Sequence, residues 1–267
     1  VLTMKKIAII GCGFLGNIIA DAMKKGLLAD YMLAGAMSHQ KASAEKLCEG
    51  LGGEAVETLD ELLALNPDMV IETASVAMVR EACITTLEHG ADFIPLSIGA
   101  FADAAFYQKA QEAARAHGVH IYIPHGAVGG FDVLQTIALM AEAGDMEIKA
   151  GIETRKGPKS LRNTPVYKDE MAGTEEVEAF YGTCQDAIAL LPTKVNVAVA
   201  QSLATIGPEK ATARITSVPE FIGDDHKITV ETEGLKAIVD IYSSTSAIAG
   251  WSIVALLRNL SSPVSFF

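Results

Sequence analysis

Three glycines near the N-terminus have a spacing that would let backbone N–H groups bind a ligand directly. An apolar run that is typical of a strand ends at Gly11, and Gly13 and Gly16 complete a G-x-G-x-x-G pattern where a helical pattern begins. In the dinucleotide fingerprint the first glycine makes the turn, the second lets a pyrophosphate approach, and the third lets the helix pack on the strand. The N–H groups at the helix start, around Phe14 and Leu15, would face the phosphates. The alternative is an incidental tight turn.

The end of the second predicted strand distinguishes the two nicotinamide cofactors. An Asp or Glu at this place binds the ribose 2′-hydroxyl and favours NAD. The segment 34–41 has no acidic residue, whereas Ser38, His39 and Lys41 could receive a 2′-phosphate. The sequence therefore favours NADP, or the use of both cofactors. The alternative is a solvated loop that has no part in the choice.

Small residues follow three further predicted strands. Ligands of a parallel sheet bind beyond the carboxyl ends of its strands. Ala74 and Ser75 follow one strand, Gly99 follows the next, and the segment 126–132 follows the last. These residues would allow a nicotinamide to approach the backbone closely. Gly99 and Gly126, taken alone, could equally be ordinary turn glycines.

The elements that must position these residues alternate along the first half of the chain. The predicted strands are 6–10, 32–36, 69–72, 92–95 and 120–123. The predicted helices are 17–25, 43–49, 59–64, 78–89 and 103–116. This alternation predicts an α/β fold of the Rossmann type, in which helices cover both faces of a parallel sheet.

The pattern changes near Pro124. The predicted strands beyond it are 147–154, 211–217, 226–232 and 237–242, with a hairpin turn at 233–234. The predicted helices are 184–190, 195–205 and 245–259, and 156–169 is expected to be a polar loop. We expect residues 1–125 to bind the dinucleotide. We expect residues 126–244 to form a smaller α+β domain, with a mainly antiparallel sheet, for substrate binding and dimerisation. The segment 245–267 is expected to pack back on the first domain.

Composition narrows the class of partner. A chain of 267 residues is long enough for two cores, and its net charge of −12 argues against nucleic acid and anionic membranes. Any site for an anionic substrate must then be locally positive. No apolar stretch is long enough to span a membrane. We assign no role to residues 1–3. The four cysteines lack metal or disulfide spacing, which indicates reduced thiols in a cytoplasmic protein: Cys12, Cys48, Cys83 and Cys184.

Several blocks, taken in order, resemble the L-aspartate dehydrogenase family. Besides the glycine fingerprint they are Leu-Ser-Ile-Gly-Ala-Phe-Ala-Asp at 96–103, Gly-Ala-Val-Gly-Gly-Phe-Asp at 126–132, Thr-Arg-Lys at 154–156, Asn-Val-Ala at 196–198, His226 with Ile228, and Thr245 with Ser246. The resemblance covers nearly the whole chain. It implies a homodimer without metal that interconverts L-aspartate and iminosuccinate with NAD or NADP, a reaction that feeds NAD biosynthesis in many bacteria.

The resemblance also assigns roles to three residues. Ala127 and Asn196 match cofactor-contacting positions, and His226 matches the active-site histidine. An imidazole with a pKa of ~6.5 could manage the proton of the substrate's amine near neutrality. Taken alone, His226 would be a surface or capping residue at a strand start, and Asn196 a helix cap.

Aspartate has two carboxylates, and four residues are candidates to bind them. Arg155 would hold one carboxylate bidentately and Lys156 would act as a point charge. Thr245 and Ser246, at the predicted start of the last helix, would supply hydroxyl and N–H groups. The alternative for Arg155 and Lys156 is a solvated strand end.

The chain departs from the family at three places. His125 replaces a small residue, Ser243 and Ser244 replace a Pro-Lys pair, and the loop 156–169 is longer and basic. One expected cation is therefore missing, and Lys159 or Arg162 could replace it. Two other functions stay open: a related reductase of another small amino or oxo acid, and a non-catalytic NAD(P)-binding sensor.

Overall fold

The computed structural model describes residues 4–193 and 195–266. Residues 1–3, for which the sequence suggested no role, and Phe267, the last residue of the predicted C-terminal segment, lie outside the described residues. The chain divides into two compact units, the first made of residues 4–126 with 249–266 and the second of residues 127–248.

The first unit is an α/β fold built on one parallel sheet. Its strands are β1 (Lys5–Ile10), β2 (Tyr31–Met37), β3 (Glu54–Val56), β4 (Met69–Glu72) and β5 (Asp92–Pro95). Its helices are α1 (Phe14–Lys24), α2 (Lys41–Cys48), α3 (Leu59–Ala64), α4 (Val76–Glu88) and α5 (Ala104–His117). The strands pair in parallel in the order β3-β2-β1-β4-β5. The predicted Rossmann-type fold is confirmed.

Local signals explain why several elements of this unit begin and end where the sequence predicts. Thr58 and Glu61 form a reciprocal capping box at the start of α3. Asp103 caps α5 through the N–H of Phe106, and Gly118 ends that helix in the left-handed conformation. These caps satisfy backbone groups that the helix itself leaves free.

The strands of this unit differ from the sequence prediction at two places. The strand β3 was not predicted, because it is three residues long at the sheet edge and only Val56 is buried. The predicted strand at 120–123 is reduced to one bridge, between Phe93 and Ile121. Two hydrogen bonds flank this bridge, and Pro124, which lacks an N–H, follows at once.

The last helix, α10 (Ala247–Ser261), contributes to the core of the first unit from residue 249 onward. Ile253, Val254 and Leu257 are buried in the same cluster as β1 and β2 side chains. The Tyr31 hydroxyl donates to the carbonyl of Leu257 at 2.7 Å. A side chain at Gly250 would lie 2.9 Å from Cδ1 and 3.1 Å from Cβ of Ile18, so the close approach of α10 to α1 favours glycine there.

The second unit is built on one mixed sheet. Its strands are β6 (Ile148–Lys156), β7 (Val177–Thr183), β8 (Thr212–Ser217), β9 (Asp224–Thr232) and β10 (Leu235–Ser243). Its helices are α6 (Phe131–Ala143), α7 (Pro158–Leu161), α8 (Cys184–Leu190) and α9 (Asn196–Leu203). The strand order is β10-β9-β6-β8-β7, and every pair is antiparallel except β6 with β8. The predicted mainly antiparallel sheet is confirmed.

The sequence missed α6 and β7 and misjudged one loop. The apolar residues of α6 lie on several of its faces, since Leu134 is buried while Leu139 is exposed. The sequence of α6 therefore lacks a clear helical period of apolar residues. A bulge between Glu178 and Phe180 breaks the alternation of β7. The predicted polar loop 156–169 contains α7 and two buried apolar side chains, Leu161 and Val166. No helix in the described part of the chain is long and apolar enough to cross a membrane.

Candidate active site

The turn after β1 has the geometry that its three glycines predict. Gly11 has φ +97°, and a side chain there would lie 2.9 Å from the carbonyl carbon of Thr73. A side chain at Gly16 would lie 2.1 Å from the carbonyl oxygen of Gly11, so α1 packs against the turn only with glycine. A side chain at Gly13 would meet nothing within 4 Å. The backbone is therefore open at Gly13, as a pyrophosphate site requires.

The start of α1 is suited to hold an anion. Gly13 is its N-cap and makes no side-chain hydrogen bond, so the first N–H groups, near Phe14 and Leu15, have no side-chain cap. The amide of Asn17 donates to the carbonyls of Cys12 and Gly13 at 2.9 and 2.8 Å, which fixes the turn. The residues present therefore fit a dinucleotide phosphate.

The residues predicted to select the cofactor directly follow β2. The Ser38 hydroxyl is half-buried and accepts from the N–H of Gln40 at 3.3 Å. His39 and Lys41 are exposed, and Lys41 begins α2. No acidic residue stands among them, so this edge of the sheet offers hydroxyl and cationic groups to a ribose.

The loops after β4 and β5 lie at the same edge of the sheet and are joined by Glu72. The backbone N–H groups of Ala74 and Ser75 donate to Oε1 of Glu72 at 2.6 and 2.7 Å. Ser97, after β5, donates its N–H to Oε2 at 3.1 Å and its hydroxyl to Oε1 at 3.0 Å. Gly99 is buried in the short helix that follows, Ile98–Ala102. The predicted Ala74, Ser75 and Gly99 therefore lie in loops fixed by one carboxylate.

In the second unit, four polar residues share one face of the sheet. Thr154 of β6 pairs with His226 of β9, and Lys156 pairs with Asp224. Paired residues of antiparallel strands lie on the same face, as do residues two apart on a strand. The Thr154 hydroxyl lies 2.9 Å from Nδ1 of His226, and His226 is only 4% exposed. This arrangement locks the orientation of the imidazole.

His226 is a neutral group at ordinary pH. Its pKa is lowered from the usual 6.5 to about 4, chiefly because the imidazole is buried; the negative charge of Asp224 raises the pKa in part, and the positive charge of Lys156 lowers it. The sequence prediction of an imidazole that titrates near neutrality is therefore wrong for the free protein. The burial that lowers the pKa could not be inferred from the strand start alone.

Lys156 supplies positive charge beside His226. Its side chain is 3% exposed, and Nζ lies 3.2 Å from Oδ1 of Asp224. An ammonium has three N–H donors, and Asp224 is its one ion-pair partner in the described part of the chain. The neighbouring Ser217, which pairs with Lys156 in register, has a buried hydroxyl with no hydrogen-bond partner among the described residues. Donor capacity therefore remains for an anionic ligand.

The prediction that Arg155 acts on the same substrate as His226 is wrong within one subunit. Arg155 lies between Thr154 and Lys156 on β6 and therefore projects from the opposite face of the sheet. Its guanidinium makes two hydrogen bonds to Glu176, one of them at 3.1 Å. The solvated strand end, left open as an alternative, describes Arg155 but not Lys156.

Thr245 and Ser246 are exposed and precede α10, which begins two residues later than predicted. The Thr245 hydroxyl accepts from the N–H of Ala247 at 3.2 Å. Ala127 lies half-buried in a turn. Asn196 is the first residue of α9, and Val195 occupies the cap position, so the alternative of Asn196 as the helix cap is wrong.

The residues that distinguish this chain from the family lie in several places. His125 is partly exposed, but its Nδ1 is buried without a partner in the described residues. Gly223 approaches the segment that replaces Pro-Lys so closely that a side chain would lie 2.1 Å from the carbonyl oxygen of Ser243. Lys159 and Arg162 are exposed. The cation that the structure places beside His226 is Lys156 itself.

Four residues of these clusters were missed from the sequence as site residues: Glu72, Thr154, Ser217 and Asp224. Alternation along β6 and β9 could have indicated Thr154, since it stands two residues from Lys156. Glu72 ends an otherwise apolar strand, and this position in the sequence could have indicated a buried carboxylate with a functional role. The partnership of Ser217 with Lys156 depends on strand pairing and has no local signal.

The parallel sheet and its glycine turn are those of dinucleotide-binding proteins. Two family profiles match the chain: "Homoserine dehydrogenase, NAD binding domain" over residues 11–124 and "Aspartate dehydrogenase, C-terminal" over residues 137–260. The L-aspartate dehydrogenases of Methanococcus maripaludis and Methanosarcina barkeri are 31% and 33% identical to the chain, with 98% of each protein covered.

A solved structure agrees with these sequence matches. The aspartate dehydrogenase of Thermotoga maritima superposes with a TM-score of 0.74 at 25% identity, covering 98% of this chain and 99% of that one. The chain belongs to the L-aspartate dehydrogenase family. The resemblance seen in the sequence and the predicted enzyme class, an NAD(P)-dependent amino-acid dehydrogenase, are confirmed.

Proposed function

We propose that this enzyme oxidises L-aspartate reversibly to iminosuccinate, with NADP or NAD as the hydride acceptor. The observation that carries the proposal is the pair of Lys156 and His226 on one buried face of the second sheet. The names of the relatives, which cover nearly the whole chain, support it. The product would feed NAD biosynthesis, as the family resemblance implies.

The reaction removes a hydride from Cα of aspartate and a proton from its amine. The bound nicotinamide supplies the hydride acceptor. His226 manages the amine proton, because the Thr154 hydroxyl occupies Nδ1 and leaves Nε2 for the substrate. A substrate carboxylate nearby would raise the pKa of His226 from about 4, since a negative charge favours the imidazolium.

Lys156 holds a carboxylate of the substrate in this proposal. A buried ammonium is costly unless it is paired, and Asp224 occupies only one of its three donors. The hydroxyl of Ser217 lies beside it and supplies a further donor. Lys156 thereby replaces the cation that is lost where Ser243 and Ser244 stand instead of Pro-Lys. Thr245 and Ser246 stay candidates for the second carboxylate.

For the cofactor, we propose that NADP binds at least as well as NAD. The absence of an acid after β2 and the presence of Ser38, His39 and Lys41 support this preference. Titration of the protein with NADPH and NADH, followed by nicotinamide fluorescence, tests it. The substitution Ser38→Asp should weaken NADPH by ~10-fold or more and spare NADH, because a carboxylate repels the 2′-phosphate. A strong preference of the parent protein for NADH would contradict the proposal.

We further propose a homodimer that forms through the face of the second sheet opposite His226. Ile238, Tyr242 and Tyr181 are exposed on that face, among charges of both signs that a second copy could complement. Sedimentation velocity should find a dimer, and Ile238→Glu should convert it to a monomer. Leu139→Glu, an equally polar change at an exposed position of α6, should leave the dimer intact. A monomeric parent protein would contradict the proposal.

We propose small-molecule partners and a cytoplasmic location, and the charge and the cysteines of the chain support both. A net charge of −12 supports small-molecule partners over nucleic acid. The four cysteines are free and buried, which supports a reducing, cytoplasmic location.

The decisive experiment follows cofactor reduction with L-aspartate, and separately with L-asparagine, L-alanine and L-malate. We expect turnover with L-aspartate well above the other three. Turnover with another acid instead would favour the related reductase, for which the Ser243–Ser244 replacement is the supporting observation. Tight cofactor binding without any turnover would favour the non-catalytic sensor.

A further inference from the structure

Glu72 is a fully buried carboxylate at the carboxyl end of β4. Its side chain is 0% exposed, and in the described residues no ion pair involves it. A buried carboxylate without a cation is expensive unless hydrogen bonds replace its water. Burial raises its pKa, and hydrogen bonds from Ser97, Ala74 and Ser75 offset part of that effect. A carboxylate buried next to Val70 and Ile71 therefore indicates a specific role for Glu72.

Within the described residues, all four hydrogen bonds to the carboxylate of Glu72 come from the two loops beyond the strands. Two come from backbone N–H groups after β4, at Ala74 and Ser75, and two come from Ser97 after β5. Ser75 is also the N-cap of α4, so the carboxylate lies at the positive end of that helix. One side chain therefore fixes both loops with respect to each other.

These two loops belong to a particular half of the cofactor site. The pyrophosphate lies over the glycine turn after β1, and the ribose that distinguishes NAD from NADP lies at the end of β2. In the strand order β3-β2-β1-β4-β5 the adenosine half is therefore on the β2 side of β1. The nicotinamide half must extend to the other side, over the ends of β4 and β5.

We propose that Glu72 is a positioning residue that holds the loops after β4 and β5 in the shape that receives the nicotinamide half of the cofactor. It does not touch the adenosine half, which depends on the turn after β1 and on the residues after β2. The proposal rests on dinucleotide binding by the first unit and is independent of which substrate is oxidised.

Only a carboxylate satisfies all the donors at this position. A carboxylate accepts hydrogen bonds at both oxygens and donates none. Glu72→Gln keeps the size of the side chain but turns one oxygen into an NH₂ group, which would face an N–H of Ala74, Ser75 or Ser97. One loop must then move, while the apolar packing of β4 is retained.

The test compares two ligands that share the adenosine half. Calorimetry measures the binding of NADH or NADPH and of ADP-ribose or its 2′-phosphate, which lacks nicotinamide. For Glu72→Gln we expect ~10- to 100-fold weaker binding of the reduced cofactor, the range for lost hydrogen bonds to a charged group. Binding of the ADP-ribose fragment should stay within ~2-fold of the parent. Ser97→Ala, which removes only the hydroxyl, should shift the same ratio less.

Thr86→Val is the matched control for burial of a polar group. Thr86 lies on α4, is fully buried, and its hydroxyl has no hydrogen-bond partner in the described residues. Its replacement should change neither affinity. Circular dichroism and thermal unfolding verify that each variant is folded.

Two outcomes overturn the proposal. Equal weakening of cofactor and fragment by Glu72→Gln would show a general structural role, and unchanged binding of both would show no role in the cofactor site. If Glu72→Gln fails to fold, the ratio measured on Ser97→Ala decides, and an unchanged ratio there counts against the proposal. Because no substrate enters the assay, a failure of aspartate turnover leaves this test intact.

Discussion

The turn after β1 and the buried face of the second sheet differ in which atoms remain for a ligand. At the turn, Gly13 has no side chain and leaves the backbone open, and the N–H groups at the start of α1 have no side-chain cap. On the sheet face, side chains are present but incompletely satisfied. Lys156 has donors beyond its one ion pair, and the Ser217 hydroxyl has no partner among the described residues.

The difference has a chemical reason. A pyrophosphate carries charge on several oxygens and is held well by backbone N–H groups and a helix terminus, so removal of side chains is what its site needs. A proton must instead be moved by a group with a tunable pKa, and a carboxylate needs a counter-charge, so side chains must be buried together. A substitution should therefore do different damage in the two regions.

The largest expected effect is on catalysis at His226. His226→Ala should lower kcat by about 10²- to 10⁴-fold, the usual range for a positioned acid–base group, because nothing else would manage the amine proton. Cofactor affinity should change little. Steady-state kinetics and cofactor titration measure both, with the exposed His120→Ala as the matched control. Parent-like kcat in His226→Ala would mean that the histidine is structural.

The next effect separates two glycines three residues apart. Gly16→Ala should lower the free energy of unfolding by ~2–3 kcal/mol, because its methyl group would overlap the carbonyl oxygen of Gly11. Gly13→Ala should leave stability unchanged or raise it by less than ~1 kcal/mol, since the space is open and the backbone is extended. Gly13→Ala should nevertheless weaken cofactor binding, and Gly13→Val should weaken it further.

Urea unfolding and cofactor titration of Gly16→Ala, Gly13→Ala and Gly13→Val distinguish a dinucleotide site from an incidental tight turn. If Gly13→Val binds the cofactor as tightly as the parent protein, the turn is an ordinary strand-to-helix connection. If Gly13→Ala unfolds the protein, the space beside Gly13 is not open in the folded protein, and the site lacks the room that a pyrophosphate needs.

A third effect contrasts two adjacent residues on β6. Lys156→Met should raise the KM for L-aspartate by ~10- to 100-fold with a smaller change in kcat, because a charge that binds ground and transition states equally contributes uniform binding. Asp224 would keep contact with water, since it is 41% exposed. Arg155→Met should change KM by less than ~3-fold, as expected for an exposed ion pair on the opposite face. Equal effects of both substitutions would contradict the assignment of Lys156.

The same contrast shows what a single sequence can predict. The glycine turn was predictable because its spacing is local, and the caps of α3 and α5 were predictable for the same reason. The Rossmann-type sheet followed from the alternation of elements. The cluster around His226 was not predictable from the sequence. Its other members, Thr154, Asp224 and Ser217, come from three strands that only the pairing register brings together. Arg155 and Lys156 look equivalent in sequence, and strand alternation puts them on opposite faces.

The smallest expected effect is on stability against pH and tests whether His226 is buried as a neutral group. Its pKa is about 4 in the folded protein and ~6.5 in the unfolded chain. Between these values the unfolded chain binds more protons than the folded protein, so acidification through this window removes stability. From pH 7.5 to pH 5.5 this histidine alone should cost about 1 kcal/mol of the free energy of unfolding.

His226→Gln isolates that contribution, because glutamine has polar atoms but no titration in this range. Urea unfolding of the parent and of the variant at pH 7.5 and 5.5 gives a difference of differences from which the other titrating groups cancel. The parent should lose about 1 kcal/mol more than the variant. An equal loss would show that His226 is as free to protonate in the fold as in the unfolded chain. His226 would then be open to water, and the second sheet would lack the buried side-chain site that distinguishes it from the open glycine turn.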